Sequence, residues 1–173
     1  MERIVIFGNS GSGKSSLAKA LSGLHGAAHL DLDLIAWEAE RPGVRAPFDE
    51  SARALLRFIE GADAWVIEGC YSGLLSVAAA HCTEMIFLNP GVAACVANCE
   101  ARPWEPHKYP SREAQDANLR MLVEWVKEYE TRDDEFSRRA HRRLFDAHAG
   151  RKVEYTSNEE ASRRATAGGP PRA

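Results

Sequence analysis

The chain has 173 residues, of which 45% are hydrophobic, and a formal net charge of −3. This length predicts one domain with a sizeable core, and the weak negative charge gives no general attraction to nucleic acid or membranes. No stretch approaches the roughly 20 apolar residues of a membrane span, and the first predicted strand begins too close to the N-terminus to leave room for a signal peptide.

Apolar runs and turn residues predict strands alternating with helices along the first half of the chain. We expect strands at 3–7, 28–33, 64–68 and 84–88. We expect helices from Ser16, with Leu17, Leu21 and Leu24 on one side, from the cap Asp49 through Phe58, and over 74–80. Parallel strands with crossover helices follow from this alternation.

The second half is richer in helical patterns. Expected there are helices at 92–101, from Ser111 and at 135–147, a loop at 102–111, and a fifth strand at 152–156. We therefore expect a single α/β domain over residues 1–165, a five-stranded mostly parallel sheet with helices on both faces, and a disordered tail at 166–173.

One motif stands between the first strand and the first helix. Gly8-Asn9-Ser10-Gly11-Ser12-Gly13-Lys14-Ser15 fits G-x-x-x-x-G-K-[ST], the P-loop pattern. Its glycines let successive N–H groups curl around an anion, Lys14 supplies positive charge for the β- and γ-phosphates, and Ser15 offers a hydroxyl to Mg²⁺. Together with Ser16 at the helix start, these residues predict a binding site for a nucleoside triphosphate.

Acidic residues follow the second and third strands, where ligands of such sheets bind. Asp31 and Asp33 lie two apart, which places both on one face if the strand continues through them. Glu68 ends the third strand. We expect Asp31 and Glu68 to serve Mg²⁺ and Asp33 to orient or deprotonate an accepting hydroxyl.

Four segments together resemble the P-loop small-molecule and nucleotide kinases: GNSGSGKSSLAKAL, HLDLDLIAW, WVIEGCYS and EMIFLNP. The shikimate-kinase and adenylate-kinase-like branches are similar, and bacterial P-loop proteins known as topology modulation proteins are nearer still. The resemblance implies Mg²⁺ and ATP as cofactors, a metal and substrate role for Asp31 and Asp33, and a match of Glu68-Gly69 to an Asp-Gly pair. The shikimate-type run of glycines is missing at 69–73, which argues against shikimate itself.

The resemblance also implies an arginine-bearing lid over the phosphates. Residues 102–111 occupy its place, and Arg102 or Arg112 is expected to reach the transferring phosphate. Trp37 and Tyr71 are expected to wall the acceptor pocket.

Two further patterns have simpler interpretations. Cys95 and Cys99, with His107, resemble part of a zinc site, but buried or idle thiols explain them better. The basic stretch at 138–152 is typical of a solvated helix face, so a nucleic-acid partner is not expected.

The predicted function is ATP-dependent phosphoryl transfer to a hydroxyl or phosphate of a small molecule or nucleotide, by a cytoplasmic monomer or homodimer with free thiols. Two alternatives stay open: a nucleotide-switched or DNA-associated ATPase, and a nucleotide-binding interaction protein with little turnover.

Overall fold

A five-stranded sheet forms the centre of the protein. The computed structural model describes residues 1–38, 40–41, 43–104, 106 and 110–167. The strands are β1 (Arg3–Gly8), β2 (Ala28–Asp31), β3 (Trp65–Gly69), β4 (Glu84–Leu88) and β5 (Arg151–Tyr155). They lie in the order β2-β3-β1-β4-β5, and each neighbouring pair is parallel. The predicted fold class is confirmed.

Eight α-helices surround this sheet within the described residues. They are α1 (Lys14–His25), α2 (Asp33–Ala36), α3 (Phe48–Glu60), α4 (Ser72–Ala79), α5 (Val92–Glu100), α6 (Arg112–Lys127), α7 (Arg138–Ala147) and α8 (Asn158–Ala167). A short 3₁₀ turn at Glu128–Glu130 separates α6 from α7.

The helices cover both faces of the sheet. On one face α1 and α8 bury Ile4 and Ile6 of β1 together with Leu17 and Leu21. On the other face α3, α4 and α7 pack over Phe7 and Phe87, whose rings stack with centroids 5.0 Å apart. Because β1, β3 and β4 are buried on both sides, their sequences are nearly continuous apolar runs.

Strand β2 is shorter than predicted, and this corrects the placement of Asp33. The strand ends at Asp31, and the Asp31 carboxylate accepts a hydrogen bond from the backbone N–H of Asp33 at 2.9 Å. Such a side-chain-to-backbone bond turns the chain, so Asp33 opens α2 instead of extending the strand. The two acids therefore do not share a strand face.

The C-terminal helix α8 was not predicted. Residues 158–167 contain no large apolar side chain, so their helical period is weak in the sequence. The helix is docked by Ala161 and by Arg164, whose buried guanidinium donates to the buried Glu84 carboxylate at 3.0 Å. It continues to Ala167, two residues beyond the predicted end of the domain, and residues 168–173 lie outside the described part.

Three smaller predictions also need correction. Helix α3 begins at Phe48, one residue before the expected cap Asp49. Helix α7 begins at Arg138 and not at 135, because the Ser137 hydroxyl accepts from the backbone N–H of Ala140 at 3.1 Å. Leu24, expected on the apolar side of α1, is half exposed.

Candidate active site

The glycine-rich loop joins β1 to α1, and two of its glycines are required by their positions. Gly11 has φ +78°, and a Cβ there would lie 2.2 Å from the Cys95 carbonyl oxygen of α5. Gly13 has φ +96° and caps α1 without any side-chain hydrogen bond. The first N–H groups of α1 are thereby left for an anion at the positive end of the helix dipole.

Two hydrogen bonds, one of them buried, fix this loop to the helices behind it. The Asn9 amide donates to the Val126 carbonyl of α6 at 3.1 Å, and the Asn98 amide of α5 donates to the Gly11 carbonyl at 2.7 Å. Lys14 reaches back over the loop and donates to the Asn9 carbonyl at 2.8 Å. The Asn9 side chain thus supports the loop from behind.

The loop opens into a cleft of about 770 Å³. Of the predicted phosphate-binding residues, 10–16 line it, whereas Gly8 and Asn9 do not. Asp31, Asp33 and Glu68 line the same cleft, so the structure brings the three predicted acids together with the loop. Its other wall comes from Asn98 and Arg102 at the end of α5 and from Asn158, Ala161, Ser162, Ala165 and Thr166 of α8.

Glu68 is the buried acid of this cleft, with 2% of its surface exposed. Its Oε1 lies 3.5 Å from His29 Nε2, and within the described residues this oxygen has no hydrogen-bond partner. Burial alone would raise the pKa of Glu68, but His29, Lys14 and Ser15 outweigh it and hold the pKa below its ordinary value. A charged, incompletely bonded carboxylate therefore faces the loop.

Asp33 belongs to a chain of hydrogen bonds that sequence patterns do not reveal. The Tyr71 hydroxyl donates to Asp33 Oδ1, and Trp37 Nε1 donates to the Tyr71 oxygen at 2.7 Å. Burial and the Asp33 charge both raise the pKa of Tyr71, so the phenol keeps its proton and remains a donor. Tyr71 is buried behind Asp33 and Trp37 lines a separate surface groove, so neither lines the main cleft.

Arg45 is a residue near the site that the sequence analysis did not identify. Its guanidinium lies 4.5 Å from the centre of the Tyr71 ring, 5.3 Å from that of Trp37 and 5.5 Å from that of Phe136. Its Nη2 lies 3.2 Å from Glu135 Oε1. The loop that contains Arg45 carries no motif, so no signal in the sequence indicated this cluster.

A buried histidine supports the turn after β3. His141 Nε2 lies 2.8 Å from the Cys70 carbonyl oxygen, and its Nδ1 lies 2.8 Å from the Tyr129 hydroxyl. The carbonyl can only accept, so Nε2 carries the proton and Tyr129 donates to Nδ1. Burial lowers the pKa of His141 to about 4, which keeps the ring neutral.

The predicted arginines are not equivalent in the structure. Arg102 lines the cleft, whereas Arg112 is exposed at the first turn of α6 and does not line it. Residues 105 and 107–109 of the predicted lid, including His107, lie outside the described residues.

The described residues contain no group of three or more His, Cys, Asp or Glu side chains that could hold a metal ion. Cys95 and Cys99 are buried, and all four cysteines are free thiols.

The basic stretch is largely paired with acids. Arg138 lies near Glu130, Arg139 near Asp133, and Arg142 donates to Glu154 at 2.6 Å. Among the described residues, no helix is both long and apolar enough to cross a membrane.

The parallel sheet with a glycine-rich loop between β1 and α1 is a fold that solved structures of small-molecule kinases share. A gluconokinase from Sinorhizobium meliloti 1021 is similar at a TM-score of 0.52 and 20% identity, covering 96% of this chain and 90% of that one. A sugar kinase from Janibacter sp. HTCC2649 is similar at 0.51 and 14%, covering 96% and 93%. Shikimate kinase from Acinetobacter baumannii, in complex with shikimate, is similar at 0.53 and 16%, covering 94% and 90%.

These likenesses confirm the fold that the resemblance implied. No protein-family model matches the sequence, and no curated protein matches it significantly.

Proposed function

We propose that the protein is a phosphotransferase that uses Mg²⁺ and ATP to phosphorylate a hydroxyl group of a small molecule. One observation carries the proposal: a phosphate-binding type of loop, a candidate base and a buried carboxylate line a single cleft. The kinase names of the structural neighbours agree with this reaction class.

The loop side of the cleft suits a triphosphate. The N-terminus of α1 and the loop N–H groups would bind the phosphate oxygens, and Lys14 would leave the Asn9 carbonyl to contact the β- and γ-phosphates. The α8 wall and Arg102 would enclose the rest of the nucleotide.

The acids suit Mg²⁺, which prefers oxygen ligands and keeps several waters. Asp31 and Glu68 are register partners on β2 and β3. The Oε1 of Glu68, which has no hydrogen-bond partner among the described residues, can accept a hydrogen bond from a metal-bound water. The Ser15 hydroxyl would complete the set. Mg²⁺ bound there would neutralise charge on the β- and γ-phosphate oxygens.

Asp33 is the candidate base. Tyr71 fixes its Oδ1, which leaves Oδ2 without a partner among the described residues for an acceptor hydroxyl. In the proposed reaction the acceptor oxygen bonds to the γ-phosphorus as the bond to the β,γ-bridging oxygen breaks. The hydroxyl proton passes to Asp33 and ADP leaves.

The test is acceptor-dependent release of ADP, compared between wild type and Asp33→Asn. The variant keeps the shape but removes the base, so transfer should fall by about 10²-fold or more while nucleotide affinity stays within about twofold. Glu50→Gln, an exposed acid on α3, is the matched control. ADP release that no acceptor stimulates would favour a simple ATPase or a nucleotide-binding interaction protein.

A further inference from the structure

The cleft has two chemically different ends, which the strand order separates. The first, called here the acceptor end, comprises Asp31, Asp33, Glu68, Gly69 and Cys70, which follow or belong to β2 and β3. These strands lie on one side of β1, whereas α8 follows β5 at the opposite edge of the sheet. The glycine-rich loop lies between the two ends.

The acceptor end is acidic. Three of its five lining residues are carboxylic acids, and none is a cation. The cations that line the cleft within the described residues are Lys14 of the loop, Lys19 of α1 and Arg102 after α5. Helix α1 packs against α8, so Lys19 belongs to the nucleotide side. Lys14 is the cation that the triphosphate itself requires.

Arg45, the cation nearest to Tyr71, is held outside this space. Its charge is engaged by Glu135 at 3.2 Å and by the faces of Tyr71 and Trp37. Tyr71 stands between Arg45 and the cleft, because its hydroxyl donates to Asp33 while its ring carries the guanidinium.

The remaining polar side chain of the acceptor end is uncharged. Burial raises the pKa of the Cys70 thiol to about 12, with Asp33 adding to the effect and Lys14 opposing it. Because His141 bonds its carbonyl, Cys70 is held in place. A protonated thiol offers a weak donor and no positive charge.

We infer that the phosphoryl acceptor carries no negative charge: it is a polyol, sugar, nucleoside or amino alcohol, and not a carboxylic acid, sugar phosphate or nucleotide. This rests on the proposed phosphoryl transfer. Ionised carboxylates accept hydrogen bonds from hydroxyl and ammonium groups but repel anions, and a partly desolvated cleft strengthens both effects. Mg²⁺ held by Asp31 and Glu68 would offset part of this charge, but it would also neutralise the triphosphate, so Asp33 and the phosphates would still select by repulsion as well as by attraction.

Matched pairs of acceptors test the inference. Glucose is compared with glucose 6-phosphate, adenosine with AMP, gluconamide with gluconate and shikimamide with shikimate, and glucosamine adds a cation. Acceptor-dependent ADP release gives kcat/KM, and calorimetry gives binding to the full chain saturated with AMP-PNP and Mg²⁺. The kcat/KM of the uncharged or cationic acceptors should be at least about 10-fold higher than that of their anionic partners.

Two variants sharpen the comparison. Asp31→Asn keeps the oxygen that bonds the Asp33 N–H but removes one negative charge. Because Asp31 is also a proposed Mg²⁺ residue, the variant is assayed at saturating Mg²⁺, where the ratio of anionic to uncharged kcat/KM should rise by about fivefold. Arg45→Gln should leave that ratio unchanged, because Arg45 does not line the cleft.

The other outcomes of these assays overturn the inference, and they show whether the acceptor charge alone or the phosphoryl transfer itself is wrong. If an anionic acceptor is phosphorylated better than its uncharged partner, or if Arg45→Gln abolishes phosphorylation of an anionic acceptor, the inferred charge of the acceptor is wrong. Either result leaves the proposed phosphoryl transfer standing. If AMP-PNP binds yet no uncharged or cationic member binds or reacts, the inferred class is wrong. If no acceptor of either kind stimulates ADP release, the proposed function fails with it.

Discussion

The nucleotide end and the acceptor end of the cleft are held in place by different means. At the nucleotide end, backbone geometry dominates: Gly11 packs directly on α5, and Asn9 and Asn98 bond backbone carbonyls. The loop residues that line the cleft there form a single run of seven, 10–16. The phosphate binding proposed there uses N–H groups and a helix terminus, which most side-chain changes leave intact.

At the acceptor end, side chains from distant segments do the positioning. Tyr71 holds Asp33 by a hydrogen bond, and Tyr71 is itself held by a hydrogen bond from Trp37 and by the guanidinium of Arg45 over its ring. His141 holds the turn at Cys70 by a hydrogen bond to its carbonyl. Each of these links joins separate elements of the fold. This difference explains how one P-loop framework can retain its nucleotide chemistry while its acceptor changes through substitutions at scattered positions.

If the nucleotide end works as described, Lys14→Ala should have the largest effect. Removing this cation should lower turnover by about 10³-fold or more and weaken ATP binding, because no other loop residue supplies charge to the phosphates. The fold should persist, since Lys14 lies outside the core clusters. Calorimetric titration with ATP and thermal unfolding measure the two quantities.

Lys127→Ala is the control for Lys14→Ala, because Lys127 is an exposed lysine paired with Glu124 on α6. Unchanged ATP affinity in folded Lys14→Ala would show that the loop does not bind triphosphate.

The two predicted lid arginines offer a second comparison. Arg102→Ala should lower kcat by about 10²-fold with little change in nucleotide Kd, since a cation near the transferring phosphoryl group acts on transition-state charge. Arg112→Ala should change kcat by less than about threefold, because Arg112 does not line the cleft. Equal losses in both variants would show that the segment rearranges during turnover.

The predictability of the molecule from its sequence follows the same division. The parallel sheet and the loop were predictable because buried strands and the P-loop each leave a contiguous pattern in the sequence. The end of β2 was not predictable because a side-chain hydrogen bond of Asp31 turns the chain there. Arg45 and His141 were not predictable as site residues because they reach the site only through tertiary contacts. Helix α8 was not predicted because a buried ion pair, Arg164 with Glu84, replaces the usual face of large apolar side chains.

The acceptor end should be the more sensitive to acid. The pKa of His141 lies near 4 in the fold and near 6.5 when unfolded. The unfolded chain therefore binds the proton first, so the stability that His141 contributes is complete above pH 6.5 and is lost as pH falls towards 4. The loss is about 3 kcal/mol. Urea unfolding at pH 7.5, 6 and 5 measures the part of this stability loss that occurs above the pH range in which carboxylates titrate.

His141→Gln, which cannot titrate, should flatten this dependence above pH 5. Burial also lowers the pKa of His148, so His148→Gln is the matched control and should keep most of the slope. An unchanged slope in His141→Gln would mean that another group is responsible.

The smallest effects come from two glycines, one in the glycine-rich loop and one in the last turn of α1. Gly11→Ala places a methyl group 2.2 Å from a backbone carbonyl at a positive φ, so it should destabilise the fold by about 2 kcal/mol and weaken ATP binding. Gly23→Ala, in the last turn of α1 with nothing within 4 Å of the added methyl, should instead stabilise by about 0.5 kcal/mol and leave ATP binding unchanged. Both variants lose the same backbone freedom in the unfolded chain, so the difference between their unfolding free energies isolates the close approach of the loop to α5. A Gly11→Ala variant as stable as Gly23→Ala would mean that the loop can move away from α5, and the contact with α5 would then not fix the nucleotide end.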